Sequence, residues 1–254
     1  MRGNMQKPLK QVMREALLCA ERDRDGGHLF EKALSGPGVS FICEVKKASP
    51  SKGIIAEEFP YLQIAKEYDE AGADAISCLT EPKYFLGKDE YLKEIAKEVK
   101  IPVLRKDFVV DEYQIYEAKI LGASAVLLIC AILEEEQLKV YLQIAKELGL
   151  SALVEAHDEK EIKQAVRAGA KIIGVNNRNL KDFSVNVGNS TNLRNFVSPE
   201  ILFVAESGIK GPEDIAALRK NKVDAVLIGE TMMRSPDKAK MLRFLKGEEH
   251  HEES

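Results

Sequence analysis

Ala71-Gly-Ala-Asp-Ala75, Leu121-Gly-Ala-Ser-Ala125 and Ala168-Gly-Ala-Lys171 are near copies of one motif. In each, an amphipathic run reaches a Gly, which suits the left-handed residue that ends a helix, and an apolar run follows. With Gly149 at a fourth such junction, the pattern is an internal repeat of about 25 residues, one strand and one helix per unit. Working outward gives eight strand-like runs: Val39–Val45, Ala75–Leu79, Pro102–Leu104, Ala125–Ile129, Ala152–Glu155, Ile172–Val175, Ile201–Ala205 and Ala225–Ile228. Helical spacing follows each of them, at 60–72, 89–99, 111–121, 134–148, 158–168, 189–196, 211–221 and 235–246. Strands that are apolar on both faces belong to a parallel sheet covered by helices. Eight such units predict a closed α/β barrel, the (β/α)8 TIM barrel. An open doubly wound sheet would carry a Gly-rich nucleotide loop after its first strand, and no G-x-G-x-x-G occurs.

Two helical segments, about 8–22 and 27–34, precede the first strand and end at Ser35-Gly-Pro-Gly38. Residues 1–38 therefore read as a short N-terminal extension, and Gly247–Ser254 as a frayed tail, on a single barrel domain spanning 1–254. A formal net charge of −4 gives no broad basic surface, so nucleic acid is not an expected partner. The first residues carry no signal peptide, and no apolar run is long enough to cross a bilayer. Cys19, Cys43, Cys78 and Cys130 form no C-x-x-C pair and read as small core residues in a reducing cytoplasm. His28, His157, His250 and His251 have no ligand spacing, so no metal site is expected.

Chemistry in such barrels collects at the C-terminal ends of the strands. The stretch Phe41-Ile-Cys-Glu-Val-Lys-Lys-Ala-Ser-Pro-Ser-Lys-Gly53 puts Glu44 and Lys46 two apart, on one face of a strand. The other ends bring Thr80-Glu81, Arg105-Lys106-Asp107, Glu155-Ala-His157, Asn176-Asn-Arg178, Glu206-Ser-Gly208 and Gly229-Glu230. The set Glu44, Lys46, Lys106, Glu155, Asn176 and Glu206 offers acids and bases around one opening, where crowding drives their pKa values apart. A structural ion-pair network would be the plainer reading, but barrels built for stability fill that space with apolar side chains. Gly208 and Gly229, after the seventh and eighth strands, stand where these barrels hold phosphate on backbone N–H groups. Ser49 could add a hydroxyl.

At this point the residues resemble a known family. Glu44-Val-Lys-Lys-Ala-Ser-Pro-Ser-Lys-Gly53 and Pro102-Val-Leu-Arg-Lys-Asp-Phe108 are similar to signatures of indole-3-glycerol phosphate synthase. Leu79-Thr-Glu-Pro-Lys-Tyr-Phe85, Leu153-Val-Glu-Ala-His157, Ile173-Gly-Val-Asn-Asn-Arg178 and Ala205-Glu-Ser-Gly-Ile209 continue the likeness over about 39–235. The resemblance implies a cofactor-free carboxy-lyase of tryptophan biosynthesis acting on 1-(2-carboxyphenylamino)-1-deoxy-D-ribulose 5-phosphate. It implies Lys106 as general acid, Lys46 on the substrate carboxylate or as a second acid, and Glu155 as acid/base for dehydration. Glu44 would orient the lysines. Asn176 and Glu206 would hold substrate hydroxyl and amine groups, Arg178 would support one of them, and Ser207 lies beside Glu206. Phe85, Phe108, Leu127 and Leu180 match the apolar wall for the ring. Ser49, Gly208, Gly229 and the backbone of Glu230 match the phosphate site. The resemblance also implies a cytoplasmic monomer or homodimer that can associate with other enzymes of the pathway. In the family the N-terminal extension lies over the substrate; here it is short and has no Trp.

Two competitors remain at this stage. A phosphoribosylanthranilate isomerase would use a Cys and an Asp at strand ends, yet Cys43 faces away from Glu44. A barrel that binds a sugar phosphate without turnover would need phosphate contacts but no paired acids and bases.

Overall fold

Alternation along a strand sorts its residues between two surfaces, and here both are buried. The computed structural model describes residues 7–23, 27–178, 184–186 and 188–248. Eight parallel strands close into a barrel: β1 Ser40–Val45, β2 Ala75–Leu79, β3 Val103–Lys106, β4 Ala125–Ile129, β5 Ser151–Ala156, β6 Ile172–Asn176, β7 Leu202–Glu206 and β8 Ala225–Ile228. Closure is made by β1, which pairs with β2 (Ile42 opposite Ala75) and with β8 (Ile42 opposite Leu227). Every barrel strand lies within two residues of its expected bounds. β3 departs most usefully: it runs on through Arg105 and Lys106, because those two charged residues continue the ladder with Cys78 and Leu79 of β2.

The connecting helices are α3 Tyr61–Glu70, α4 Asp89–Glu98, α5 Tyr113–Leu121, α6 Glu135–Glu147, α7 Glu159–Ala168, α8 Gly188–Leu193, α9 Pro212–Lys220, α10 Glu230–Arg234 and α11 Lys238–Lys246. The repeated glycines Gly72, Gly122 and Gly169 have φ of +81°, +92° and +92°, the left-handed turn that lets each helix fold back into the next strand. The outer core lies between helices and strands. The inner core fills the barrel with Ile42, Leu104, Leu127, Leu153, Val204 and Leu227 among others.

The extension forms α1 Leu9–Arg22 and α2 Leu29–Leu34. α1 packs along α5, with Lys119 reaching Asp23 at 3.0 Å. α2 sends Phe30 and Leu34 into the inner core, beside Ile42, Ala75 and Leu153. His28 N–H donates to Gly149 O and Glu31 N–H to Ser151 Oγ, which seats α2 on the N-terminal mouth of the barrel. Among the described residues, the extension contributes nothing to the opposite mouth. The expected tail is described only as far as Glu248. Among the described residues no helix is long and apolar enough to cross a membrane.

Candidate active site

The inward-facing residues at the upper ends of the strands surround a cavity of about 830 Å³. Glu44 on β1, Lys106 on β3, Glu155 on β5, Asn176 on β6 and Glu206 on β7 all line it, with Lys46 just past β1. The cluster divides into two groups. Lys46 Nζ donates to Glu44 Oε1 at 2.6 Å. Lys106 Nζ donates to Glu155 Oε2 at 3.3 Å and, more closely, to Glu206 Oε2. Asn176 Nδ2 donates to the other Glu155 oxygen at 3.4 Å. Small residues make room for this charge. A Cβ on Gly174 of β6 would collide with Glu206 Oε1. A Cβ on Gly229 would stand 2.7 Å from Lys46 Nζ and 2.8 Å from Glu44 Oε1. Gly229 therefore leaves space for the Glu44–Lys46 pair, a role its sequence position does not suggest.

One ammonium cannot hold two buried carboxylates ionised equally, and the surroundings decide between them. Burial works against the Glu155 carboxylate, but Lys106, then His157 and Asn176, outweigh it and bring its pKa down to about 2. Glu206 has less help. Burial raises it, Lys106 opposes, and Glu155 and Glu44 add repulsion, so it is pushed up to about 7. Its Oε1 has no hydrogen-bond partner. Burial pulls the Lys106 ammonium down, yet Glu206, Glu155 and Glu44 prevail and leave it above its ordinary range. Lys46 does not bring Lys106 toward neutrality, because Lys46 is held by Glu44 and three carboxylates face Lys106.

The cavity has an apolar side and a polar side. Phe85 and Phe108 stand with ring centroids 6.3 Å apart at 55°, above Leu127 and Leu79. The polar side is formed by Ser49, Ser207, Gly208, Gly229 and Glu230. Ser49 belongs to a two-stranded ribbon, Ala48–Ser49 with Gly53–Ile54, that overhangs β1. Ser207 and Gly208 both have positive φ, +70° and +86°. Thr231 Oγ1 donates to Ile209 O at 2.8 Å and ties α10 to that turn. Glu230 is neutralised in place: its carboxylate lies 3.5 Å from Lys52 and 3.1 Å from Arg234. Partial burial opposes ionisation there, but Arg234 and Lys52 hold the carboxyl below its usual range. Arg178 lines the cavity, and its N–H donates to Asn176 Oδ1 at 3.0 Å. Leu180 lies outside the described residues.

Several strand-end residues meet partners that their spacing in the sequence does not reveal. His157 sits between two carboxylates, with Nε2 3.3 Å from Glu155 Oε1, off the line of a hydrogen bond, and Nδ1 3.1 Å from Glu161 Oε2. Those contacts raise its pKa to about 10 against the effect of burial. Glu81 accepts from the N–H groups of Lys83, Tyr84 and Phe85, which shapes the loop presenting Phe85. Arg105, one residue before Lys106, turns to the helix side instead of the mouth. It bonds Asp89 at 2.7 Å, Glu117 at 2.8 Å, Gln114 O at 3.0 Å and Thr80 Oγ1 at 3.2 Å. Cys43 is buried on that outer side, and its thiol is pushed up to about 12 by burial, which leaves it inert. No three His, Cys, Asp or Glu side chains among the described residues gather as metal ligands.

Comparison with known proteins bears on the family and on the fold. A sequence model described as "Indole-3-glycerol phosphate synthase" matches residues 5–245. A relative from Ruminiclostridium cellulolyticum described by the same words is 60% identical over 86% of this chain and 84% of its own length. Another from Endomicrobium trichonymphae is 56% identical over 96% of this chain and 94% of its own. Among solved structures, 3-hexulose-6-phosphate synthase from Salmonella typhimurium shares the fold with a TM-score of 0.67 at 15% identity, covering 82% of this chain and 97% of its own. The α2β2 tryptophan synthase complex of Pyrococcus furiosus contains a chain with a TM-score of 0.61, likewise at 15% identity, covering 82% of this chain and 98% of its own. At that identity the two structures speak for the barrel alone. The family model and the high-identity relatives speak for more: the chain belongs to the indole-3-glycerol phosphate synthase family.

Proposed function

We propose that the rim of this barrel converts 1-(2-carboxyphenylamino)-1-deoxy-D-ribulose 5-phosphate into indole-3-glycerol phosphate, carbon dioxide and water, with Lys106 as general acid. By family the chain is a carboxy-lyase of tryptophan biosynthesis; the residue roles are the proposal. The observation that carries them is the Lys106 ammonium held between the buried carboxylates of Glu155 and Glu206. Ring closure joins the carbon bearing the substrate carboxylate to the ribulose carbonyl carbon, and negative charge develops on the carbonyl oxygen. A protonated Lys106 supplies the proton there. The developing alkoxide is basic enough to take it even from an ammonium whose pKa is raised. Loss of carbon dioxide restores the aromatic ring. The new hydroxyl then leaves as water with a proton from one acid, while a base removes a proton from the ring system. Glu155, ionised at neutral pH, suits that base.

Lys46 is the cation for the substrate carboxylate, with Glu44 holding it until substrate arrives. Asn176 and Glu206 engage hydroxyl and amine groups. Phe85, Phe108 and Leu127 receive the anthranilate ring, and Ser49, Gly208, Gly229 and the backbone of Glu230 face the phosphate, with Ser207 between Glu206 and Gly208. No cofactor is assigned. One barrel domain supplies all of these residues, which suits a cytoplasmic monomer or homodimer alike, free or associated with other enzymes of the pathway. The test is direct: supply the substrate and follow indole fluorescence. Formation of the indole is expected, and its absence at about micromolar enzyme would overturn the reading. Lys106→Ala should lose nearly all kcat while still binding substrate. Activity within tenfold of the parent, about 1.4 kcal/mol, would rule Lys106 out as the acid.

A further inference from the structure

The turn that faces the phosphate end has an unusual backbone. Ser207 is not a glycine, yet its φ is +70°, and Gly208 follows at +86°. A side chain in the left-handed region stays there only when its surroundings over-determine it. The group that does so here is Asn177, which is 3% exposed and does not line the cavity. Its Nδ2 donates to Ser207 O at 3.1 Å. Its Oδ1 accepts from Ser190 N at 3.0 Å and from Ser190 Oγ at 2.7 Å. The amide cannot be turned round, since a backbone N–H can only donate and a backbone carbonyl can only accept. Its own N–H donates to Glu206 O at 2.8 Å, and its carbonyl accepts from Asn186 N–H at 3.0 Å. One buried side chain thus links the end of β6, the turn after β7 and the start of α8.

We infer that Asn177 is a positioning residue that holds the Ser207-Gly208 turn in the left-handed conformation in which its backbone receives the substrate phosphate. The inference rests on the phosphate assignment made under the proposed function. Successive backbone N–H groups in such a turn form an anion-binding concavity, and the concavity is lost if Ser207 relaxes to negative φ. An Asp at this position would still accept from Ser190. It would also set a carboxylate oxygen against Ser207 O in place of a donor, so the hold on the turn would fail selectively.

The experiment compares Asn177→Asp, Asn177→Ala and Gly208→Ala with the parent. It measures the dissociation constant of inorganic phosphate, the KM and kcat for substrate, and the circular dichroism spectrum. Asn177→Asp is expected to keep the parent spectrum, to weaken inorganic phosphate and raise KM at least fivefold, and to leave kcat within threefold. Asn177→Ala should do the same if it folds; Asn177→Asp decides the matter if it does not. Phosphate affinity within twofold in Asn177→Asp, with a clear loss in Gly208→Ala, would overturn the inference alone. A fall in kcat with KM and phosphate affinity unchanged would also overturn it, since Asn177 would then be acting through Asn176 or Glu206. Unchanged phosphate affinity in Gly208→Ala would instead remove the phosphate assignment, and the inference with it.

Discussion

Glu155 shows how much of this site depends on single neighbours. It stays ionised because Lys106, His157 and Asn176 together overcome burial. His157→Gln removes one of those partners, so the Glu155 pKa should rise and the acid limb of the kcat profile should move to higher pH. The same pair governs stability. A carboxyl lowered on folding stabilises fully above its ordinary pKa of about 4.3 and loses that contribution as pH falls toward 2. An imidazole raised on folding stabilises fully below its ordinary pKa of about 6.5 and loses that contribution as pH rises toward 10. The parent should therefore exceed His157→Gln in Tm by most between those ordinary values, with the gap closing toward pH 10; a gap independent of pH would count against the ion pair. Gly174→Ala tests the space reserved for charge. The added Cβ meets Glu206 Oε1, so kcat/KM should fall at least tenfold while Tm stays within a few degrees. In the sequence His157 stands only as a strand-end neighbour of Glu155 without ligand spacing, and Gly174 only as one letter of the Ile173–Arg178 motif, because neither residue type announces which carboxylate will lie against it.

Among the elements, β3 is the most informative. Its apolar signal ends at Leu104, so the sequence reading closes the strand there, yet the strand carries both charged residues to Lys106. Alternation sends Lys106 into the mouth and Arg105 into the helix layer, where Asp89 at the start of α4 and Glu117 of α5 receive it. Arg105 is 0% exposed, which only a full set of partners permits. Arg105→Leu would take the guanidinium from Asp89, Asp107 and Glu117 and put an apolar side chain in its place. Breaking a buried pair in this way costs about 3–5 kcal/mol, and urea unfolding of the variant should show a loss in that range. A loss under 1 kcal/mol, on the order of an exposed pair, would mean that water replaces the guanidinium. Asp107 also accepts from Thr80 Oγ1 at 2.7 Å and from Phe108 N–H at 2.9 Å. The network behind the barrel therefore fixes the residues on both sides of Lys106. α10, by contrast, falls outside every helix expected from periodicity, since five residues are too few to show a period.

At the scale of the whole molecule, the two mouths of the barrel do different work. The C-terminal mouth holds the charge cluster, and the N-terminal mouth is stopped by α2, with Phe30 fully buried in the inner core. Phe30→Ala should cost about 3–5 kcal/mol of stability, as aromatic truncation in a packed core does. kcat/KM should stay within threefold below the unfolding transition, and a larger kinetic effect would show that the two mouths are coupled. The family resemblance implies an extension that lies over the substrate. Here its described part flanks α5 and plugs the far end, an arrangement that helical periodicity alone could not assign to either mouth. What the sequence determined by itself was the repeat: glycine-ended helices, eight buried strands and the residues at each strand end. Those are local properties, written in periods of two and 3.6 residues. Only the tertiary structure decided which charges face each other. Lys106 and Glu206 are 100 residues apart and meet because the barrel closes. Closure also sends Arg105 outward, sets His157 against Glu155 and bonds Asn177 to Ser207. The physical reason is that a side chain's pKa and hydrogen bonds come from neighbours across the sheet, and strand pairing, not spacing along the chain, selects those neighbours.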